Sequence, residues 1–179
     1  IVVRLVGSEM CIRDSKKISK KMNCEYIIKL QGDEPFIDPK DIVNLNNTII
    51  SKNSDIGTLG NKITKDDFID NNIVKVITED NIEKKKISRA KKFLRKCKHP
   101  EKNAYGHIGI YQFRSSILKK FINLKQSKNE IKYRLEQLRA IENGINIDVV
   151  YSKNKFFGID TVQDYVEIKK IMEYKIKKL

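Results

Sequence analysis

A mostly apolar run of strand length, Tyr26-Ile27-Ile28-Lys29-Leu30, stops at Gln31-Gly32-Asp33-Glu34-Pro35, and a helix start follows at Asp38-Pro39. This order of strand, tight acidic turn and capped helix limits the available folds more than any other feature of the chain. Asp38 suits the cap and Pro39 the first turn, after which Ile42, Leu45 and Ile49 recur at helical spacing. Similar alternation continues downstream. Residues 56–59 read as a short strand and 65–70 as an acid-rich turn of helix. Residues 73–78 and 86–88 read as a hairpin around Glu79-Asp80-Asn81, and 107–114 as a strand. In that last strand His107, Gly109, Tyr111 and Phe113 share one face, because side chains alternate along an extended chain.

Between the hairpin and that strand, residues 91–103 carry many basic side chains and Pro100 without periodicity, and are expected to form an exposed connection. Ser115-Ser116 should cap a short helix ending near Asn123. Residues 130–143 should form a longer helix, with Ile131, Leu135, Leu138 and Ile141 buried and Gly144 as its stop. A strand at 147–151, a loop at 157–160 and an amphipathic helix at 162–177, capped by Asp160 or Thr161, complete the pattern, with a short basic helix expected at 16–22. Strands separated by helices imply an α/β layered fold with a mixed, mostly parallel sheet. Ligands of such sheets bind beyond the carboxyl ends of strands, which marks the turn after Leu30.

That turn supports two readings. Carboxylates of Asp33 and Glu34 held at a strand end are hard oxygen donors suited to Mg2+, whereas a simple polar turn would use Asp33 to bond nearby backbone amides. Gly158-Ile159-Asp160-Thr161 is a second acidic turn before a helix; its plain role is an N-cap, although an acid there can also hold a metal. His107 and Tyr111 offer polar groups on one strand face, Glu136 and Gln137 lie beside an apolar helical stripe, and Arg89 can fork onto a carboxylate or phosphate. A nucleophile elbow, paired zinc ligands and a complete phosphate-binding glycine loop are all missing from the pattern, so covalent hydrolytic chemistry has no support.

Charge and cysteine usage narrow the setting. Thirty-seven Lys and Arg against 23 Asp and Glu give a formal charge of +14. The lysines are dispersed beside Ile and Asn, without an arginine stripe or a repeated aromatic platform, so nucleic acid is not the expected partner and anionic substrates are. Cys11, Cys24 and Cys97 are odd in number and lack metal-type spacing, as expected of a reducing cytoplasm. No apolar stretch approaches membrane-spanning length.

Residues 1–15 differ abruptly in composition from the Lys, Ile and Asn-rich remainder and resemble translated adaptor sequence, so they are read as a non-native segment. The rival reading is a strand at 1–6 followed by a loop at Gly7-Ser8.

Several motifs in order resemble those of the 3-deoxy-manno-octulosonate cytidylyltransferases, or CMP-Kdo synthetases. They are Gln31-Gly32-Asp33-Glu34-Pro35, Ser88-Arg89-Ala90, His107-Ile108-Gly109-Ile110-Tyr111, Leu135-Glu136-Gln137-Leu138-Arg139 and Gly158-Ile159-Asp160-Thr161. The resemblance implies a Rossmann-like nucleotidyltransferase fold and a cytoplasmic homodimer. It also implies transfer of CMP from CTP to the anomeric hydroxyl of 3-deoxy-manno-octulosonate (Kdo), with pyrophosphate released, for lipopolysaccharide synthesis. By position it makes Asp33 and Asp160 the catalytic Mg2+ ligands, and Gln31, Arg89, His107, Tyr111, Glu136 and Gln137 the sugar-binding residues. The family opens with a strand and an Arg, Gly and Lys-rich loop that grips the triphosphate. Nothing before Gln31 matches that loop, so residues 16–179 are expected to be a partial domain, missing its N-terminal strands and inactive as written. Where the family usually has the second acid of a Leu-Glu-x-x-Glu pattern this chain has Tyr133, which opens an 8-amino-Kdo or sialic-type keto sugar as an alternative acceptor.

Overall fold

The computed structural model describes residues 2–6, 24–32, 35, 37–97, 99, 101–154, 158–159 and 162–176. Seven strands, β1 (Val2–Val6), β2 (Tyr26–Gln31), β3 (Ile56–Asn61), β4 (Lys75–Thr78), β5 (Ile87–Leu94), β6 (Ala104–Arg114) and β7 (Ile147–Ser152), form one sheet in the order β1-β2-β6-β3-β7-β5-β4. The described helices are α1 (Pro39–Ser51), α2 (Lys65–Ile69), α3 (Ile82–Lys85), α4 (Ser115–Phe121), α5 (Lys128–Tyr133), α6 (Gln137–Glu142) and α7 (Val162–Ile176).

The sheet is mixed. β1, β2, β3, β4 and β7 run one way and β5 and β6 the other, so most strands share a direction. Parallel neighbours are nevertheless confined to β1–β2 and β3–β7, because the long β6 lies between β2 and β3 and β5 lies beyond β7. β6 also pairs through residues 104–106 with β4, and β5 pairs first with β7 and then with β4. These pairings close a ring through β6, β3, β7, β5 and β4.

Side-chain alternation sends the apolar residues of each strand into one of two cores. Ile27, Ile56, Phe93, Tyr111, Phe113, Ile147 and Val149 pack on one face with Phe121 and Ala140 from α4 and α6. Ile28, Leu59, Ile108, Ile110 and Val150 pack on the other with Leu45 and Ile49 from α1. The near-continuous burial of 26–30 is that of a strand covered on both sides. α1 begins as its sequence dictates: Asp38 Oδ1 accepts from Lys40 N at 2.8 Å and Pro39 occupies the first turn. It lies so close to the sheet that a methyl group on Gly57 would overlap the Ile49 side chain.

Several elements differ from expectation. β5 continues through residues 91–94 because Phe93 is buried in the core, and β6 begins at Ala104, which shortens the connection between them. The hairpin turn houses α3, capped by Asn81. Ser115 does not cap α4: its hydroxyl hydrogen-bonds the carbonyl of Cys24. The helix expected at 130–143 is two, α5 and α6, broken where Arg134 takes a left-handed conformation (φ 52°), and Ile131 is exposed. Gly144 follows α6 at φ 70°, as a glycine stop should. The expected helix at 16–22, both metal-ligand candidates and the α7 cap lie outside the described residues.

Candidate active site

The carboxyl ends of β2, β3 and β7 reach the same side of the sheet as the first half of the antiparallel β6. A cleft of about 430 Å3 opens there. Gln31, at the end of β2, meets His107 and Tyr111 from β6 and Glu136 and Gln137 from the start of α6 in its lining. Asn61 and Lys62 follow β3 into it, and Gly158 and Ile159 enter after β7. Five of the six expected sugar-binding residues are therefore gathered. Arg89 is not: it is exposed on β5, opposite Asp148 of β7.

A register shift brings His107 and Tyr111 together. Thr58 pairs with Tyr111 but its neighbour Leu59 pairs with Ile108, so Gly109 and Ile110 are extra residues on β6. The shift is by an even number, so His107 and Tyr111 stay on one face, with ring centroids 5.3 Å apart, and Phe93 meets the His107 ring edge-on at 5.2 Å. Thr58 Oγ1 fills the bulge, lying 2.7 Å from Ile110 O, 3.1 Å from Ile108 O and 3.0 Å from His107 Nε2. Carbonyl oxygens only accept, so the single hydroxyl proton of Thr58 goes to them and His107 Nε2–H donates to Thr58. That leaves Nδ1 as the acceptor of the ring. Burial lowers the His107 pKa to about 3, so the imidazole is neutral at neutral pH.

Charged groups around the cleft are anchored from behind. Lys29, buried in β2, places Nζ 3.3 Å from Glu136 Oε2. Arg139 donates Nε to Glu130 Oε2 at 2.7 Å and NH2 to Oε1, a buried bidentate pair that ties α6 to α5 beside Arg134. Lys75, fully buried, donates to Arg95 O at 3.1 Å and to Asp70 O, and desolvation lowers its pKa. Asn154 Nδ2 donates to Asp41 Oδ2 at 2.7 Å and its carbonyl accepts from Asn61, which joins the ends of β7 and β3 to the start of α1.

Sequence reasoning missed the cleft cations Lys62, Arg95 and Arg134, because in a lysine-rich chain no single basic residue stands out. Lys29 did carry a signal, as the one charge in the apolar run 26–30. Tyr133, by contrast, is exposed at the end of α5 with Lys132 Nζ 5.1 Å from its ring centroid, and it does not line the cleft.

The sequence model of the family described as "Cytidylyltransferase" matches residues 5–149. The chain belongs to the cytidylyltransferase family. Among curated cytidylyltransferases, the 3-deoxy-manno-octulosonate cytidylyltransferase of Thermodesulfovibrio yellowstonii is 44% identical over 147 residues, covering 77% of this chain and 56% of that protein. The Bartonella bacilliformis protein of the same name is 34% identical over 169 residues, covering 93% and 68%. The chain thus spans between half and roughly two thirds of the length of these relatives. Its fold is similar to that of a CMP:2-keto-3-deoxy-manno-octonic acid synthetase solved in complex with CTP, with a TM-score of 0.82 and 26% identity over 93% of this chain and 69% of that one. A UDP-glucose pyrophosphorylase shares the fold at a TM-score of 0.64 and 15% identity over 90% and 62%. Among the described residues no helix is long and apolar enough to cross a membrane.

Proposed function

We propose that the full-length protein carrying this chain transfers CMP from CTP to the anomeric hydroxyl of 3-deoxy-manno-octulosonate. The observation that carries the reading is the convergence of Gln31, His107, Tyr111, Glu136 and Gln137 on one cleft, in a chain whose relatives bear that activity in their names. In the reaction the sugar hydroxyl oxygen attacks the α-phosphorus of CTP. A new O–P bond forms, the bond to the pyrophosphate oxygen breaks, and the hydroxyl proton is lost.

The cleft suits an anionic, polyhydroxylated acceptor. Its described lining carries Lys62, Arg95 and Arg134 against Asp67 and Glu136, which favours a carboxylate. Neutral His107 orients without adding charge, and the Gln31 and Gln137 amides can both donate and accept to hydroxyls. A magnesium ion fits the donor set: Asp33 and Asp160 offer hard carboxylate oxygens, and their chain neighbours Gln31 and Ile159 line the same cleft. These acids would hold the ion, which when bound supplies charge neutralisation at the phosphates. The same reading carries a cytoplasmic enzyme of lipopolysaccharide synthesis.

The test is pyrophosphate release by the full-length protein. Release should require CTP, Kdo and Mg2+ together, and Asp33→Asn or Asp160→Asn should lower kcat by roughly two orders of magnitude. Release that is indifferent to Kdo would overturn the proposal.

A further inference from the structure

Lys29 occupies a position where a charge is costly. It lies between Ile28 and Leu30 in a strand buried on both faces, and its own side chain is only 9% exposed. A buried amine of this kind needs a partner, and its Nζ is 3.3 Å from Glu136 Oε2. Glu136 is the half-buried acid of the cleft wall, with 35% of its side chain exposed. Its charge is therefore offset from behind before any ligand arrives. Asp67 is the other acid of the described lining, against Lys62, Arg95 and Arg134, and the ring of His107 adds no positive charge at neutral pH.

A paired carboxylate still accepts a hydrogen bond from a neutral hydroxyl. A ligand ammonium at the same place must share the carboxylate with Lys29 and face three further cations. We infer that Lys29 is a specificity-determining residue: by neutralising Glu136 it reserves that wall of the cleft for a hydroxyl of the acceptor sugar and disfavours an acceptor bearing an ammonium group. The inference rests on the cytidylyltransferase reading proposed above and adds to it a residue, Lys29, that discriminates between the hydroxyl-bearing acceptor and its amino-substituted analogue.

The experiment compares kcat/KM for Kdo and for 8-amino-8-deoxy-Kdo in the full-length protein. Wild type should prefer Kdo. Lys29→Met keeps the length and apolar stem of the side chain but removes its charge, and should move the preference toward the amino sugar by about tenfold or more, mainly through KM. Lys29→Arg restores the charge and should return the ratio toward the wild-type value. Glu136→Gln removes the acid and leaves the cation, so it should move the ratio the other way; this variant carries the test if Lys29→Met does not fold. A ratio that is the same in the charge-removing variants and wild type, or a wild-type preference for the amino sugar, overturns the inference. If wild type uses neither sugar, the cytidylyltransferase reading itself fails, and this inference with it.

Discussion

At the scale of single residues, Thr58 determines how His107 is presented. Its hydroxyl satisfies the carbonyls freed by the β6 bulge and in doing so makes His107 Nε2 a donor. A neutral, desolvated imidazole also has a consequence for stability. The folded pKa of about 3 lies below the ordinary 6.5, so between these values the unfolded chain binds a proton that the folded one does not. Stability is therefore full above pH 6.5 and falls as the pH drops toward 3. Part of the ring faces the cleft, which reduces the effect, and a loss of about 2 kcal/mol between pH 6.5 and 4.5 is expected from this group. Urea denaturation of wild type and His107→Gln at both pH values should show the acid-dependent loss in wild type and a flatter response in the variant. Parallel behaviour of the two proteins would contradict the assignment.

At the scale of elements, the junction of α5 and α6 shows where local pattern stops being informative. Ile131, Leu135, Leu138 and Ile141 have the spacing of one amphipathic helix, yet Arg134 turns left-handed and Ile131 faces solvent. What overrides the spacing is the buried Glu130–Arg139 pair, a contact between helices that periodicity does not encode. Arg139→Met should destabilise the protein by about 3 to 5 kcal/mol, because Glu130 is left buried without its partner. Glu130→Leu combined with Arg139→Met should recover most of that loss, and a double-mutant cycle measured by chemical denaturation checks both values. Elements with local signals were legible: α1 from Asp38-Pro39, β2 and β7 from apolar runs, and the stop after α6 from Gly144. The candidate site was legible to the same degree. Ordered motifs identified the residues that gather at the cleft, but the sequence offered no distinction between the exposed Arg89 and the cleft-lining Arg95 and Arg134, since Arg95 is placed by where β5 ends and Arg134 by the left-handed break between α5 and α6.

For the whole molecule, the closed ring of β6, β3, β7, β5 and β4 bears on how the two cores respond to damage. Adjacent residues of the same strand serve opposite faces: Val149 packs in one core and Val150 in the other, as do Ile27 and Ile28. Because β3, β6 and β7 contribute to both layers, damage to either core is expected to weaken the strands that carry the other. Leu45, fully buried on the sheet-facing side of α1, and Phe93, 2% exposed on the opposite face, probe the two sides. Leu45→Ala should cost about 2 to 5 kcal/mol and Phe93→Ala about 3 to 5 kcal/mol. In each variant far-ultraviolet circular dichroism and tyrosine fluorescence should report one coincident urea transition, shifted to lower concentration with the slope unchanged. A second transition in either variant, confined to one probe, would mean that the faces unfold independently and that the shared strands do not couple them.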